Sequence, residues 1–177
     1  MNDFIKTLIA RRSIRAYLPE QVREEDLAQI LEAGTYAACG KGAQSGKIVV
    51  VQDKPTLTLL ERLNAAAMGK PDAKPFYGAP MVCVVLADTS IPTYLEDGSL
   101  IMGNLMAAAH SLGVGSCWIH RAKKVFATDE GKALLKKWGV PNAENLRGVG
   151  NCILGYAAEG GKKAPAPRKE NYVVLVK

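Results

Sequence analysis

The sequence predicts an α+β fold. About five short β-branched or wholly apolar runs read as strands, and about five stretches with apolar residues at helical spacing are placed too unevenly for a regular doubly wound sheet. Bulk agrees: 177 residues, 48% hydrophobic and 23% charged, have the composition of one globular domain with a sizeable core. Residues 1–177 are therefore read as one domain, with 157–177 as an extended C-terminal arm.

Each element has a local reason. Asn2 or Asp3 can cap a first helix whose Phe4, Ile5, Leu8 and Ile9 recur at helical spacing, and that helix delivers Arg11 to Arg15 at its end. Tyr17-Leu18-Pro19 reads as extended, and Leu27, Ile30 and Leu31 mark a second amphipathic helix that Gly34 can terminate. Residues 34–46 hold four glycines among small residues and read as a loop whose backbone something can approach closely. Ile48 to Val51 is a strand, and a helix from Pro55 to about Met68 carries proline in its first turn. Gly69 to Pro80 reads as loop and the fully apolar Met81 to Ala87 as a strand. Asp97 to Leu112 is a helix apolar on nearly every side, belonging either wholly in the core or partly at a subunit interface. Val114 to Ile119 is a short strand, Thr128 starts a surface helix stopped by Gly139 and Pro141, and Gly148 to Tyr156 is a further strand. The arm from Ala157 to Lys169 ends in Tyr172 to Val176, which reads as a strand in need of a sheet to join.

Composition excludes several classes. The longest apolar run, Ala79 to Ala87, is about half of what spans a bilayer, and Met1 to Phe4 lack the charge pattern of an export signal. The expectation is a protein neither exported nor membrane-inserted. Cys39, Cys83, Cys117 and Cys152 form no Cys-x-x-Cys pair, which suits a reducing cytoplasm, and His110 and His120 lack partners at metal-site spacing, so no metal is expected. The net charge of +6 is scattered in small knots, including Arg121 to Lys124 and Lys162 to Lys169, without interleaved aromatics. Nucleic acid is not the expected partner; a solvated surface with a few phosphate-neutralising cations is.

The densest chemical signal is Arg11-Arg12-Ser13-Ile14-Arg15, whose guanidinium forks and hydroxyl suit phosphate and the polar edge of a heterocycle. Favourable cations at a helix C-terminus account for the same residues equally well. Arg168 and Lys169 sit on the arm, where a long cationic side chain either folds over an anion or is simply solvated. Cys117-Trp118-Ile119-His120-Arg121 ends a strand and can present backbone N–H groups to a ligand. No Gly-x-Ser-x-Gly, no phosphate-binding Gly-x-x-x-x-Gly-Lys and no dinucleotide fingerprint is present. The residues alone imply an α+β protein with an anion-binding site.

Taken together, these segments resemble the nitroreductase family over nearly the whole chain. The resemblance rests on Arg11 to Arg15 followed by Tyr17; Ala38-Cys39-Gly40-Lys41-Gly42-Ala43-Gln44 before a Val-rich strand; Asp97-Gly98-Ser99 to Asn104 running into Ala108 to Trp118; Leu154-Gly155-Tyr156; and Arg168. It implies a central, mainly antiparallel sheet flanked by helices, with the C-terminal arm adding a strand to the partner subunit of a homodimer. It implies FMN at the dimer interface. Arg11, Ser13 and Arg15 would contact its phosphate, ribityl chain and pyrimidine edge with Arg12 nearby, and Ala38, Cys39, Gly40 and Gln44 would come from the other subunit. The turn Ile119-His120-Arg121 would face the flavin ring with its backbone, and Arg168 would be a C-terminal phosphate ligand. The implied activity is ping-pong transfer of electrons from NAD(P)H to nitroaromatic or quinone-like acceptors. Other FMN reactions on the same fold (ene reduction, dehalogenation, flavin-consuming chemistry) and a non-enzymatic flavin carrier are the alternatives. One departure stands out: Cys39-Gly40-Lys41-Gly42 replaces the family's Ser/Pro-rich loop, and Gly42 cannot make the side-chain contact of the usual Asn.

Overall fold

The computed structural model describes all 177 residues. Its elements in chain order are α1 (Asp3–Ala10), α2 (Glu24–Thr35), β1 (Gly46–Val51), α3 (Lys54–Ala67), β2 (Met81–Asp88), α4 (Tyr94–Ser111), β3 (Gly115–Ile119), α5 (Ala122–Val125), α6 (Asp129–Lys137) and β4 (Leu146–Gly155). The four strands form one sheet in the order β1-β2-β4-β3, antiparallel throughout.

The sheet explains the wholly apolar strand. β2 is central, and its alternate residues feed two cores: Val82, Val84 and Leu86 face α3, α5 and α6, while Cys83, Val85 and Ala87 face α2 and α4. A strand buried on both faces has no polar side to show, which is why Met81 to Ala87 carries no alternation. Opposite it, β4 has one extra residue, since Val85 pairs with Gly150 and Leu86 with Gly148; the bulged Val149 packs against Gly98 of α4.

Local signals placed the starts of α1 and α6 correctly, and at α3 the structure adds a cap, Asp53, to the expected proline. The Asn2 side chain accepts from the Phe4 N–H, Asp53 caps α3 ahead of Pro55, and the Thr128 hydroxyl accepts from the Gly131 N–H at α6. Gly34 does not end α2. It lies inside the last turn, pressed so close to α4 that a Cβ there would sit 2.8 Å from the Leu105 side chain. α4 begins three residues before Asp97, where Tyr94 bonds through its hydroxyl to Arg147 of β4; Leu95 is half exposed, so this first turn gives no inward-facing pattern to read.

The expected strand at Tyr172 to Val176 does not form within the chain. Its side chains are between 74% and 94% exposed. A strand needs a ladder partner; of the two sheet edges, that of β3 is taken by the segment whose Ile14 N–H donates to the Ser116 carbonyl at 2.9 Å, and that of β1 is left unpaired by this chain. The sheet therefore has four strands rather than five, and the four-residue α5 brings the helices to six. α4 buries Ile101, Met102, Leu105 and Ala109 but leaves Leu100 half exposed, and the whole apolar face of α1 (Phe4, Ile5, Leu8, Ile9) is uncovered. No helix is long and apolar enough to cross a membrane.

Candidate functional site

The segment Arg11 to Leu18 is extended and held on both sides. Along β3 it bridges Ser13 to Ser116; on its other side the arm runs antiparallel to it, pairing Ile14 with Lys162 and Tyr17 with Ala157. The Arg15 N–H donates to the Gly161 carbonyl and the Ala158 N–H to the Ala16 carbonyl. The backbone of the basic cluster is thus fixed while its side chains remain available. Arg12 Nη1 donates to the carbonyls of Ile9 and Arg11, both at 2.6 Å, closing the C-terminus of α1 as a helix-end cation does. Arg15 is exposed, and Arg11, Arg12 and Ser13 are half-buried.

Several donors here have nothing to donate to. Arg11 Nη1, Arg12 Nε, the Ser116 hydroxyl and Arg121 Nε are buried without a hydrogen-bond partner. Such groups cost about 1–3 kcal/mol each when left unpaired, so their gathering along β3 and its flanking segments marks a place built to meet a polar ligand. At the end of β3, Ile119 is buried, while His120 is exposed with its ring 6.5 Å from that of Trp118. Its backbone is steadied from beneath: Asn151 Nδ2 reaches the Ile119 carbonyl at 3.4 Å and Asn64 Oδ1 at 3.0 Å.

The second group, Ala38 to Gln44, lies elsewhere. It forms a 3-10 turn over Gly40–Gly42 leading into β1, with Lys41 and Gln44 both in the left-handed region (φ 54° and 48°). Its anchor is Asp97, 3% exposed in the first turns of α4. The carboxylate accepts from the Gly40 N–H at 3.0 Å, the Ser45 hydroxyl at 2.7 Å and the Thr93 hydroxyl at 3.3 Å. Burial opposes the charge of Asp97, but these three donors outweigh it and hold its pKa below the ordinary carboxylate value. Gly40 packs on Thr93 with no room for a Cβ. The Cys39 thiol accepts from the Gln44 N–H at 3.4 Å, and both residues line a cavity of about 370 Å³ together with Ala38, Lys47 and Asp97.

These two groups do not meet in one chain. The basic segment lies along β3 and the loop feeds β1, the opposite edges of the sheet, so about three strand spacings, roughly 14 Å, separate the edges. Arg168 meets neither: it is exposed, and its guanidinium donates only to the Ala166 carbonyl at 2.7 Å. Sequence reasoning missed the anchoring role of Asp97, visible beforehand only as the start of a helix and as part of a family motif, and the backbone pairing of Lys162 with Ile14, since nothing local in the arm shows which residue meets the basic segment.

Comparison with known proteins bears on what this arrangement is for. A model of the nitroreductase family matches residues 8–156. A protein of Archaeoglobus fulgidus provisionally named NADH dehydrogenase/NAD(P)H nitroreductase is 30% identical over 162 residues, 88% of this chain and 86% of its own length. An FMN reductase [NAD(P)H] of Bacillus subtilis is 33% identical over 135 residues, 66% of this chain but 53% of that protein. Among solved structures, a nitroreductase with bound FMN from Bacteroides fragilis superposes over all of both chains with a TM-score of 0.90 at 31% identity. Another with bound FMN, from Desulfitobacterium hafniense, also covers both chains fully, with a TM-score of 0.87 at 26% identity.

Proposed function

The chain belongs to the nitroreductase family, and on that premise we propose that it is an FMN-dependent oxidoreductase that moves electrons from NADH or NADPH to a small nitroaromatic or quinone-like acceptor. The observation that carries the reading is the set of buried, unpartnered donors at Arg11, Ser116 and Arg121 on and beside β3. A phosphorylated heterocycle rich in acceptors is the kind of ligand that satisfies them. Bound FMN would supply the redox chemistry, accepting hydride from the nicotinamide and passing electrons to the acceptor.

The chain's own residues would bind, orient and tune. Arg11 would neutralise phosphate, with Arg12 beside it; Ser13 and Arg15 would meet the ribityl chain and the pyrimidine edge. The N–H groups of the turn Ile119-His120-Arg121 would face the ring, where fixed donors stabilise negative charge better than mobile water does. No side-chain acid is required at the turn, and His120, exposed, is not assigned one. A single open site serving donor and acceptor in turn gives ping-pong kinetics.

Separation of the basic segment and the Ala38 to Gln44 loop on opposite sheet edges supports a homodimer in which the loop completes the partner's site. The uncovered apolar face of α1 and the exposed segment Tyr172 to Val176 supply surface for such an association. Four free cysteines, three of them buried, fit a reducing cytoplasm.

An absorbance spectrum of the purified protein tests the proposal, followed by anaerobic titration with NADH and NADPH. The expected result is a yellow protein that releases FMN on denaturation and bleaches with a nicotinamide. A colourless protein that takes up no added FMN overturns the reading.

A further inference from the structure

The turn that ends β3 carries two main-chain donors the chain itself does not use: neither the His120 N–H nor the Arg121 N–H donates to a carbonyl of the protein. β4 holds this turn at both ends. Ile119, the last residue of β3, lies across from Asn151, and Gly148 comes so close to the start of α5 that a Cβ on it would sit 2.4 Å from the Ala122 carbonyl carbon. His120 and Arg121 are therefore displayed on a fixed base.

Asn151 and Asn64 are both fully buried, on the face of the sheet that α3 covers. Asn64 Nδ2 donates to the Leu60 carbonyl at 2.8 Å, which turns its Oδ1 toward Asn151. Asn151 Nδ2 donates to that oxygen at 3.0 Å and reaches the Ile119 carbonyl at 3.4 Å. Main-chain carbonyls stand at both ends of this relay and can only accept, so neither amide can flip without setting oxygen against oxygen. Asn151 Oδ1 is left buried without a partner. Such a group costs about 1–3 kcal/mol, a cost that two apolar side chains of the same shape would not carry. Stability therefore does not account for the pair; the peptide beneath which it ends does. The Ile119 carbonyl and the His120 N–H belong to one planar peptide and point in opposite directions, so holding the oxygen aims the N–H. Drawing charge toward that oxygen also strengthens the N–H as a donor, although a contact of 3.4 Å acts on direction more than on strength.

We propose that Asn151, backed by Asn64, is a positioning residue for the turn Ile119-His120-Arg121: by holding the Ile119 carbonyl it aims the His120 N–H at the ligand and raises the reduction potential of bound FMN. The proposal rests on the FMN-oxidoreductase reading for the identity of that ligand. A donor fixed in direction before reduction stabilises the negative charge that reduction brings to the ring, whereas a donor free to tilt gives up part of that stabilisation.

The test compares the full-length protein with an Asn64→Leu/Asn151→Leu variant, which removes both amides together and leaves neither half of the pair unsatisfied. Asn151→Thr, suited to a strand and one atom shorter at the reaching end, is the second variant should the double one fail to fold. In the FMN-loaded proteins the redox equilibrium should move about fivefold toward oxidised flavin, a potential lower by about 20 mV for a two-electron couple, while the Tm of the double variant stays level or rises. A merely structural role would lower the Tm and leave the potential of the folded, loaded protein where it was. The second readout needs no flavin: in the flavin-free chain the Ile119 carbonyl carbon and His120 amide nitrogen resonances should move with the substitution, and those of Arg11 to Arg15 should not. Should the unmodified protein bind no FMN while these resonances move, the oxidoreductase reading falls and Asn151 still positions the turn. An unchanged potential in a loaded variant overturns the proposal, and so does a potential that shifts while the Ile119 and His120 resonances stay in place.

Discussion

Asp97→Ala is the perturbation whose outcome the structure specifies most closely. Asp97 is buried and unpaired by any cation, and it joins α4 to the loop before β1 by accepting from Gly40, Ser45 and Thr93. Removing it deletes three hydrogen bonds to a charged acceptor and leaves the buried Ser45 hydroxyl unsatisfied; against this stands relief from burying a charge. Such a balance comes to about 2–4 kcal/mol of lost stability, or roughly 4–16 °C in Tm for a chain of this length. Asp97→Asn keeps one acceptor oxygen and should lose less. The pH dependence has a definite sign. Hydrogen bonding holds the folded-state pKa below the ordinary value of 3.8, so the stabilisation is complete above that value and drains away as pH falls through the folded one. Asp97→Asn should lack this acid slope. Thermal unfolding from neutral pH down to about pH 3, together with hydrogen exchange at Gly40 and Gln44, checks both points. A Tm unchanged by Asp97→Ala, or undiminished protection of the Gly40 amide, would refute the anchoring argument.

Arg168→Ala should weaken FMN binding by about ten- to a hundredfold in a flavin titration, since the guanidinium is otherwise engaged only with the Ala166 carbonyl; unchanged affinity would leave Arg168 a solvated residue of the arm. Deleting residues 165–177 should reduce both dimer stability and flavin content, followed by sedimentation and absorbance, and a truncated protein that stays dimeric and yellow would contradict the role given to the exposed tail. His120→Ala should lower turnover modestly, whereas His120→Pro, which removes the backbone N–H, should disturb the flavin potential far more; equal severity in the two variants would exclude the backbone as the working group.

Legibility of the fold in the sequence followed burial. β2, apolar from Met81 to Ala87, and α3, with Pro55 in its first turn, were readable because one local rule decides each. Gly34 misled because glycine has two uses: a helix end that needs left-handed backbone, and a helix interior that needs close approach. Only the position of Leu105, 71 residues away, decides for the second. Tyr172 to Val176 differs in kind: its composition is that of a strand, but a strand forms only where a sheet edge is offered, and none within this chain takes it.

The candidate site was legible in the residues themselves as an inventory, and its arrangement only through the family resemblance. Arg11 to Arg15 and Ala38 to Gln44 stand out by residue type, but whether two such groups serve one ligand depends on sheet order, which no local pattern encodes. The order β1-β2-β4-β3 sends them to opposite edges, and the same order brings the arm back beside Arg11 to Arg15. On the proposed reading, a chain so folded would offer the basic half of a site at one edge and the small-residue loop at the other, and a second copy would be needed to join the halves. Asp97 has a different consequence in that setting from the one it has in a lone chain. By fixing Gly40 and Ser45 against α4, it prepares a loop whose proposed ligand lies on another molecule. Loss of Asp97 should accordingly weaken flavin binding across the interface as well as the subunit that carries the substitution.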